Sequence, residues 1–499
     1  MAKPKTPNQK RKYGELNKRL AKYVMLVESI YEDLNLEAAK IVGITDFTID
    51  SDRTFLWSDY PQTRKRIRDL QERFVEDIGS VIYSGTSEEW KNSNEVQDLL
   101  ANKVLQTYGA TIGKEKYEIL YQPNNDALKA FQQRKDKGFT ISDKLWDQST
   151  LYKQELEEAI SCAIQKGTSA ITLSKQISKY LLDFPQLQKD YKERFGKASR
   201  AMDCEYRSIR LAASEINMAY RQAENLRWQQ MDFVVGYEIK LSNKHTCNGK
   251  PFQDICDILA GKYPKDFQWT GWHPLCRCYK IPILKTEEEF WEWDGRNEAT
   301  TASVNEVKDV PDAFKKWVLD NQERISTAKK RNTLPYFLRD NKSVYQKITV
   351  ESSISEIVKR ASSVGDEVQS IAERIAIKNG GYVTPINFKS TTSITRKVIT
   401  EGITPYDIKG AVRTTIIVPK SRIEDVLEEL YKTEGFLRLK RQKPESFMGY
   451  SGNIVNIRTT NGLTAEIQVN TERMIFAKER PEDAKRILGE KRWEEIHNE

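Results

Sequence analysis

The sequence has no long apolar run and few cysteines or histidines. No stretch approaches the roughly 20 apolar residues that a membrane-spanning helix needs, and the N-terminus has no apolar centre of a signal peptide. We therefore expect a chain that is made in the cytoplasm and has no membrane partner. Six cysteines and three histidines are few for 499 residues, and disulfide bonds are not expected in a cytoplasmic chain.

Length and patterning predict a multidomain α+β protein. A chain of 499 residues is too long for one ordinary hydrophobic core, so two or three domains are expected. We predict the following divisions: a basic arm over 1–24, a mostly helical domain over 25–284 that ends in a small β module rich in cysteine and histidine, a linker with one helix over 285–344, and a C-terminal α/β domain with a mixed sheet over 345–499.

The basic arm holds most of the positive charge. Residues 1–24 contain eight Lys and Arg residues against Glu15, a net charge of +7, whereas the whole chain has a net charge of +8. Such arms bind phosphate or acidic protein surfaces without sequence preference, although many are only solvated. The arm is therefore a candidate for nonspecific DNA contact, and a purely solvated segment is the alternative.

Most of the cysteines and two of the histidines lie close together in the sequence. The pattern H-x-C-x8-C-x16-H-x2-C-x-C begins at His245. Thiolate and imidazole are the ligands that structural zinc prefers, in sets of four. The candidate zinc ligands are Cys247, Cys256, His273, Cys276 and Cys278. Reduced buried thiols or a disulfide are the alternatives.

The same region resembles a known family. "GWHPLCRC", after "HTC" and "DICDILAGKYP", is similar to the C-terminal signature of phage Mu protein F-like minor head proteins, and the preceding helices follow that family's order over roughly 13–284. The resemblance implies a virion component that binds portal or capsid proteins and serves head morphogenesis or DNA delivery.

The last third of the chain contains the groups that phosphoryl transfer needs. That chemistry requires a carboxylate for Mg²⁺, cations for the phosphates and a base for the attacking hydroxyl. "FKSTTSITRKV" supplies Lys389, Arg396 and Lys397, "DIKGAVRTTIIV" supplies Asp407 and Arg413, and "GLTAEIQVNT" supplies Glu466 and Gln468. Each of these groups alone is an ordinary surface residue.

A hairpin places Glu466 on a strand. Asn461 and Gly462 separate two strand-like runs, which is a strong hairpin signal. A three-residue loop with Gly462 in the left-handed conformation would pair Arg458 with Glu466 and Asn456 with Gln468.

In this order the groups resemble the synthetase domain of the RelA/SpoT family, which transfers pyrophosphate from ATP to a nucleotide hydroxyl. The match continues through Gly449, Tyr450 and Thr471. The resemblance implies that Asp407 and Glu466 are catalytic and hold Mg²⁺. It assigns nucleotide binding to Lys389, Ser393, Arg396, Lys397, Arg413, Tyr450 and Gln468. Tyr450 would stack on the acceptor base.

Two interpretations of the whole chain remain. One is a phage head protein with an active synthetase domain, acting on a nucleotide or RNA acceptor in the host cytoplasm. The other is a purely structural, portal-associated virion protein whose last domain keeps the fold without the chemistry; Asn387, where the family commonly has an Arg, favours this alternative. No His-Asp hydrolase signature exists in the sequence, so an active domain would make its product without removing it.

Overall fold

A computed structural model describes residues 4, 6–44, 53–163, 170–242, 246–247, 250–251, 253–292, 303–441 and 452–498. The chain divides into two units, Met1–Lys342 and Ser343–Glu499. Within the described residues, every helix is too short or too polar to cross a lipid bilayer.

The first unit is mainly helical. Its helices are α1 (Gln9–Ile44), α2 (Arg64–Tyr108), α3 (Lys114–Leu120), α4 (Asn125–Gln133), α5 (Ile141–Ala163), α6 (Ala170–Leu182), α7 (Phe184–Phe195), α8 (Cys204–Gln230), α9 (Ile255–Leu259), α10 (Glu287–Glu292), α11 (Asp312–Asp320), α12 (Gln322–Lys330) and α13 (Tyr336–Arg339). Its strands are β1 (Val234–Lys240), β2 (Thr246–Cys247), β3 (Lys250–Pro251), β4 (Gly261–Tyr263) and β5 (Tyr279–Leu284), with sheet orders β4-β1-β5 and β2-β3.

The expected basic arm is part of a packed helix. Helix α1 begins at Gln9, and Tyr13 and Leu16 are buried together with Tyr220 of α8. Tyr13, Leu16 and Tyr23 recur at helical spacing, so one face of α1 is apolar although the segment is strongly basic. Its apolar stripe packs on α8, and basic residues on the other face remain exposed.

The expected linker over 285–344 also packs on the first unit. Phe290 lies against Tyr108, with ring centroids 4.8 Å apart. Phe314 and Phe337 join the aromatic cluster around Trp272. The single helix expected in this linker is replaced by several short helices, among them α11 and α12. The acidic and polar average composition of this segment conceals the few aromatic residues that anchor it.

The second unit has one mixed sheet flanked by helices. Its helices are α14 (Lys342–Ser363), α15 (Gly365–Lys378), α16 (Thr391–Glu401), α17 (Ile423–Tyr431), α18 (Glu472–Lys478), α19 (Pro481–Leu488) and α20 (Glu490–Asn498). Its strands are β6 (Tyr382–Val383), β7 (Asn387–Phe388), β8 (Lys409–Ile417), β9 (Phe436–Arg441), β10 (Asn453–Arg458) and β11 (Thr464–Asn470). The strand order is β6-β8-β11-β10-β9, and β7 pairs with β8.

One face of this sheet forms the core of the second unit. Strands β8 and β11 pair in parallel, and the other strand pairs are antiparallel. Ile467 and Val469 of β11 pack in one cluster with Val368 of α15 and Val426 of α17. Because successive residues of a strand point to opposite faces, Glu466 and Gln468 lie on the face away from this core.

The β10–β11 hairpin has the expected loop type but a different register. Thr459 and Leu463 close a three-residue loop through a 2.9 Å backbone hydrogen bond, and Gly462 is left-handed with φ 82°. Asn456 faces Glu466, where Arg458 was expected. The loop closes one residue earlier than expected, which moves each partner by two and keeps every side chain on its expected face.

Candidate active site and candidate metal centre

A row of polar side chains crosses the sheet of the second unit away from its core. Successive Cα partners on the five strands β7, β8, β11, β10 and β9 are Asn387, Arg413, Glu466, Asn456 and Arg438. Directly opposed residues on neighbouring strands share a face. In this row, Glu466 lies between Arg413 on the neighbouring strand β8 and Arg438 on β9, two strands away on the other side.

Glu466 is half-buried, and Gln468 holds its carboxylate. Gln468 Nε2 donates to its Oε1 at 2.7 Å, and Lys478 Nζ of α18 donates to Gln468 Oε1 at 2.8 Å. Gly410 has φ +69°, and a Cβ there would lie 3.0 Å from Glu466 Oε2. A side chain at position 410 would therefore be strained and would displace the carboxylate.

Lys389 brings positive charge beside Glu466. Its Nζ donates to the carbonyl of Lys409 at 3.2 Å. Burial lowers the pKa of Lys389, the nearby positive charges of Lys397 and Arg413 lower it further, and Glu466 opposes this effect. The structure thus brings Lys389, Lys397, Arg413 and Glu466 close together.

Helix α16 presents the remaining candidates of its segment. The side chain of Ser390 caps the helix by accepting from Ser393 N at 3.2 Å, so Ser393 lies in the first turn. Lys397 follows one turn later and is 3.7 Å from Glu401 Oε1. Arg396 is exposed to solvent.

Asp407 lies on the turn before β8 and is exposed. Its Oδ2 accepts a 2.7 Å hydrogen bond from Thr404 Oγ1. The hydrogen bond of Asp407 is therefore local, and convergence of Asp407 and Glu466 on one cation stays a prediction. Tyr450, the expected stacking residue, lies outside the described residues.

Three polar residues near the carboxylate were missing from the sequence-based candidates. Arg438 Nε donates to Asn456 Oδ1 at 2.8 Å, and Lys478 contacts Gln468. Asn456 was recognised as a hairpin residue without a role at the site. The alternation in "FLRLKR" could have placed Arg438 on a strand face, but only strand order brings that strand beside β10.

The cysteine and histidine residues of the first unit form a compact group. The thiol sulfurs of Cys256, Cys276 and Cys278 lie within 4.8 Å of one another, and all three residues are buried. His273 Nε2 lies 3.1 Å from Cys256 Sγ. For Cys247, the structure describes the backbone strand and not the side chain.

Comparisons with known proteins support a synthetase-like domain. No protein family model matches the chain. The (p)ppApp synthetase toxin Tas1 of Pseudomonas aeruginosa (strain UCBPP-PA14) is 30% identical over 138 residues, which are 28% of this chain and 31% of Tas1. The chain thus spans under a third of the length of this curated relative. The similarity supports a RelA/SpoT-like pyrophosphotransferase domain.

Two solved structures also show local likeness. The complex between the Type VI effector Tas1 and its immunity protein matches with 29% identity and a TM-score of 0.27, over 30% of this chain and 76% of that one. The small alarmone synthetase 1 from Bacillus subtilis bound to its product pppGpp matches with 16% identity and a TM-score of 0.23, over 29% of this chain and 90% of that one. Both TM-scores are low, and nothing in the comparisons supports the expected phage head protein.

Proposed function

We propose that the second unit transfers a pyrophosphoryl group from ATP to a hydroxyl group of a nucleotide or RNA. The observation that supports this proposal best is the half-buried carboxylate of Glu466, which lies opposite Arg413 and near Lys389. The motifs of the synthetase resemblance all lie in Ser343–Glu499, which is long enough to contain the 138 residues matched in Tas1.

The side chains have two roles in the transfer: some neutralise charge on ATP, and one accepts a proton. Lys389, Lys397 and Arg413 neutralise the triphosphate of ATP. The acceptor oxygen forms a bond to the β-phosphorus, the bond from that phosphorus to the α-phosphate oxygen breaks, and AMP leaves. Glu466 takes the proton of the attacking hydroxyl, as a carboxylate base within reach of the acceptor can.

The carboxylates also suit Mg²⁺. Glu466 and Asp407 offer hard oxygen ligands, which Mg²⁺ prefers together with substrate phosphates. Bound Mg²⁺ would stabilise the negative charge of the phosphates during transfer. Glu466 lies on β11, and Asp407 lies two residues before β8, the strand that pairs with β11 in parallel.

The name of the relative Tas1 suggests a nucleotide acceptor and a biological role for this chain. Tas1 is named a (p)ppApp synthetase toxin, and we extend this to an adenosine nucleotide as acceptor and to toxicity in a target cell. The acceptor panel for this chain therefore contains AMP, ADP and ATP, with GDP, GTP and tRNA as alternatives.

The test compares two matched Glu→Gln variants of the full chain. Purified wild type, Glu466→Gln and Glu434→Gln receive Mg²⁺, ATP labelled at the β-phosphate and each acceptor in turn. Glu434 is an exposed residue of the same unit. We expect Glu466→Gln to slow product formation about 100-fold or more, as loss of a general base does, and Glu434→Gln to match wild type. Equal rates for wild type and Glu466→Gln with every acceptor would overturn the proposal.

The structural alternative has its own support. Asn387 faces Arg413 in the polar row, so the row lacks a positive charge at that position. In a degenerate domain of a portal-associated virion protein, no acceptor would yield product although the unit folds and ATP is present. The head-assembly role of 25–284 and its portal or capsid partners rest on the sequence resemblance alone, and copurification with phage heads would test them.

A further inference from the structure

We propose that Cys256, His273, Cys276 and Cys278 together hold one zinc ion as a closed structural centre. This centre lies in the first unit and is independent of the proposed pyrophosphate transfer. The sequence offered more thiol and imidazole groups than one zinc can bind; the structure groups the three thiols and places His273 Nε2 beside Cys256 Sγ.

The distances between the three thiol sulfurs suit a tetrahedral zinc site. Zn–S bonds of about 2.3 Å place two sulfurs of a tetrahedron about 3.8 Å apart. Cys256 Sγ and Cys276 Sγ are 3.8 Å apart, and Cys278 Sγ lies within 4.8 Å of both. An S–S bond is about 2.05 Å long, so this spacing suits metal ligands and not a disulfide.

The imidazole of His273 is oriented for metal binding. Its Nδ1 lies 2.7 Å from the carbonyl oxygen of Pro274, so Nδ1 carries the proton and donates it. The lone pair of Nε2 then faces Cys256 Sγ at 3.1 Å. Metal-binding histidines commonly have the second ring nitrogen fixed in this way.

The chain around the ligands is held in place by buried hydrogen bonds. Arg221 of α8 donates to the carbonyl oxygens of Cys276 at 2.7 Å and Cys278 at 2.8 Å, and Asn217 donates to Cys276 at 2.9 Å. Three thiolates around Zn²⁺ carry a net negative charge, which the buried guanidinium of Arg221 offsets. The centre would thereby fix the β module to α8.

Asp254 competes for the imidazole. Its Oδ2 lies 3.4 Å from His273 Nε2, and its Oδ1 accepts from Cys256 N at 2.7 Å. Zinc in structural sites favours thiolate and imidazole over carboxylate. We therefore assign Asp254 to positioning Cys256 at the start of α9.

The test measures metal content and ligand type in the full chain. Protein produced with added zinc is analysed for metals, and its zinc is then exchanged for Co²⁺. We expect one zinc per chain, and thiolate-to-cobalt charge-transfer absorption with tetrahedral d–d bands. Folded wild-type protein without zinc, or a cobalt form without thiolate absorption, would overturn the proposal.

Matched cysteine variants test the ligand set. Cys204→Ser changes another buried thiol of the same unit and should retain zinc, as should Cys247→Ser. Cys256→Ser should lose zinc, and loss of zinc in Cys247→Ser would contradict the assigned set. Since a buried variant can fail to fold, His273→Cys provides a second measure: it should retain zinc and shift the cobalt spectrum toward four thiolates, and an unchanged spectrum would exclude His273 as a ligand.

Discussion

At the scale of single residues, the candidate active site depends on how closely charged groups approach one another. Lys389 is partly buried next to Lys397 and Arg413, and its pKa is lowered for that reason. A lysine with a lowered pKa loses its positive charge at a lower pH than a solvated lysine does. The proposed ATP site should therefore lose affinity for the phosphates of ATP as the pH rises.

As the pH rises, we expect the KM for ATP to increase at a lower pH than it would if Lys389 had the pKa of a solvated lysine. Lys389→Arg keeps its charge because a guanidinium stays protonated, so the alkaline rise in KM should move to higher pH. The measurement is the pH profile of kcat/KM for ATP in wild type, Lys389→Arg and the exposed control Lys420→Arg. Identical alkaline limbs in wild type and Lys389→Arg would show that Lys389 does not set the profile.

At the scale of elements, a buried ion pair joins α1, α8 and β5. Lys280 Nζ of β5 lies 3.3 Å from Glu224 Oε2 of α8, and both side chains are fully buried. Tyr13 OH of α1 donates to the same carboxylate oxygen at 2.5 Å. Burial lowers the pKa of Lys280 to about 8 and raises that of Glu224, so each charge depends on its partner.

Removing one member of this pair should destabilise the first unit strongly. Lys280→Met leaves the carboxylate of Glu224 without its cation, and we expect a loss of about 3–5 kcal/mol in the free energy of unfolding. The double variant Lys280→Met/Glu224→Gln should recover part of that loss, since no charge is left unpaired. Urea unfolding followed by tryptophan fluorescence measures both. Lys262→Met, at an exposed position of β4, is the control. If this control lost as much stability as Lys280→Met, the buried-pair explanation would be refuted.

At the scale of the whole molecule, the two units have separate hydrophobic cores. Phe74 belongs to the core of the first unit and Ile467 to that of the second, and both are fully buried. Cores that share no residues can unfold as separate cooperative units.

Calorimetry of the full chain should therefore show two transitions. Phe74→Ala and Ile467→Ala each create a cavity that costs roughly 2–5 kcal/mol, and each should lower the temperature of a different transition. A zinc chelator should lower the transition that Phe74→Ala lowers. A single transition that shifts equally in both variants would mean that the units unfold together.

The sequence alone determined those features that depend on local periodicity and spacing. Strand alternation put Glu466 and Gln468 on one face and Ile467 on the other, because side chains of a strand alternate. Gly462 specified a three-residue hairpin loop, because glycine adopts the left-handed conformation without strain. The crowding of cysteine and histidine residues in the sequence identified the candidate ligands of the proposed zinc centre.

Tertiary structure decided what depends on distant segments meeting. Strand order put Arg438 beside Asn456, α18 brought Lys478 to Gln468, and packing against Tyr220 turned the basic arm into part of a core helix. It also brought the thiols of Cys256, Cys276 and Cys278 together. Periodicity shows which face a side chain occupies, but its neighbours on that face depend on register and packing, which are fixed only when apolar surfaces from the whole chain are buried together.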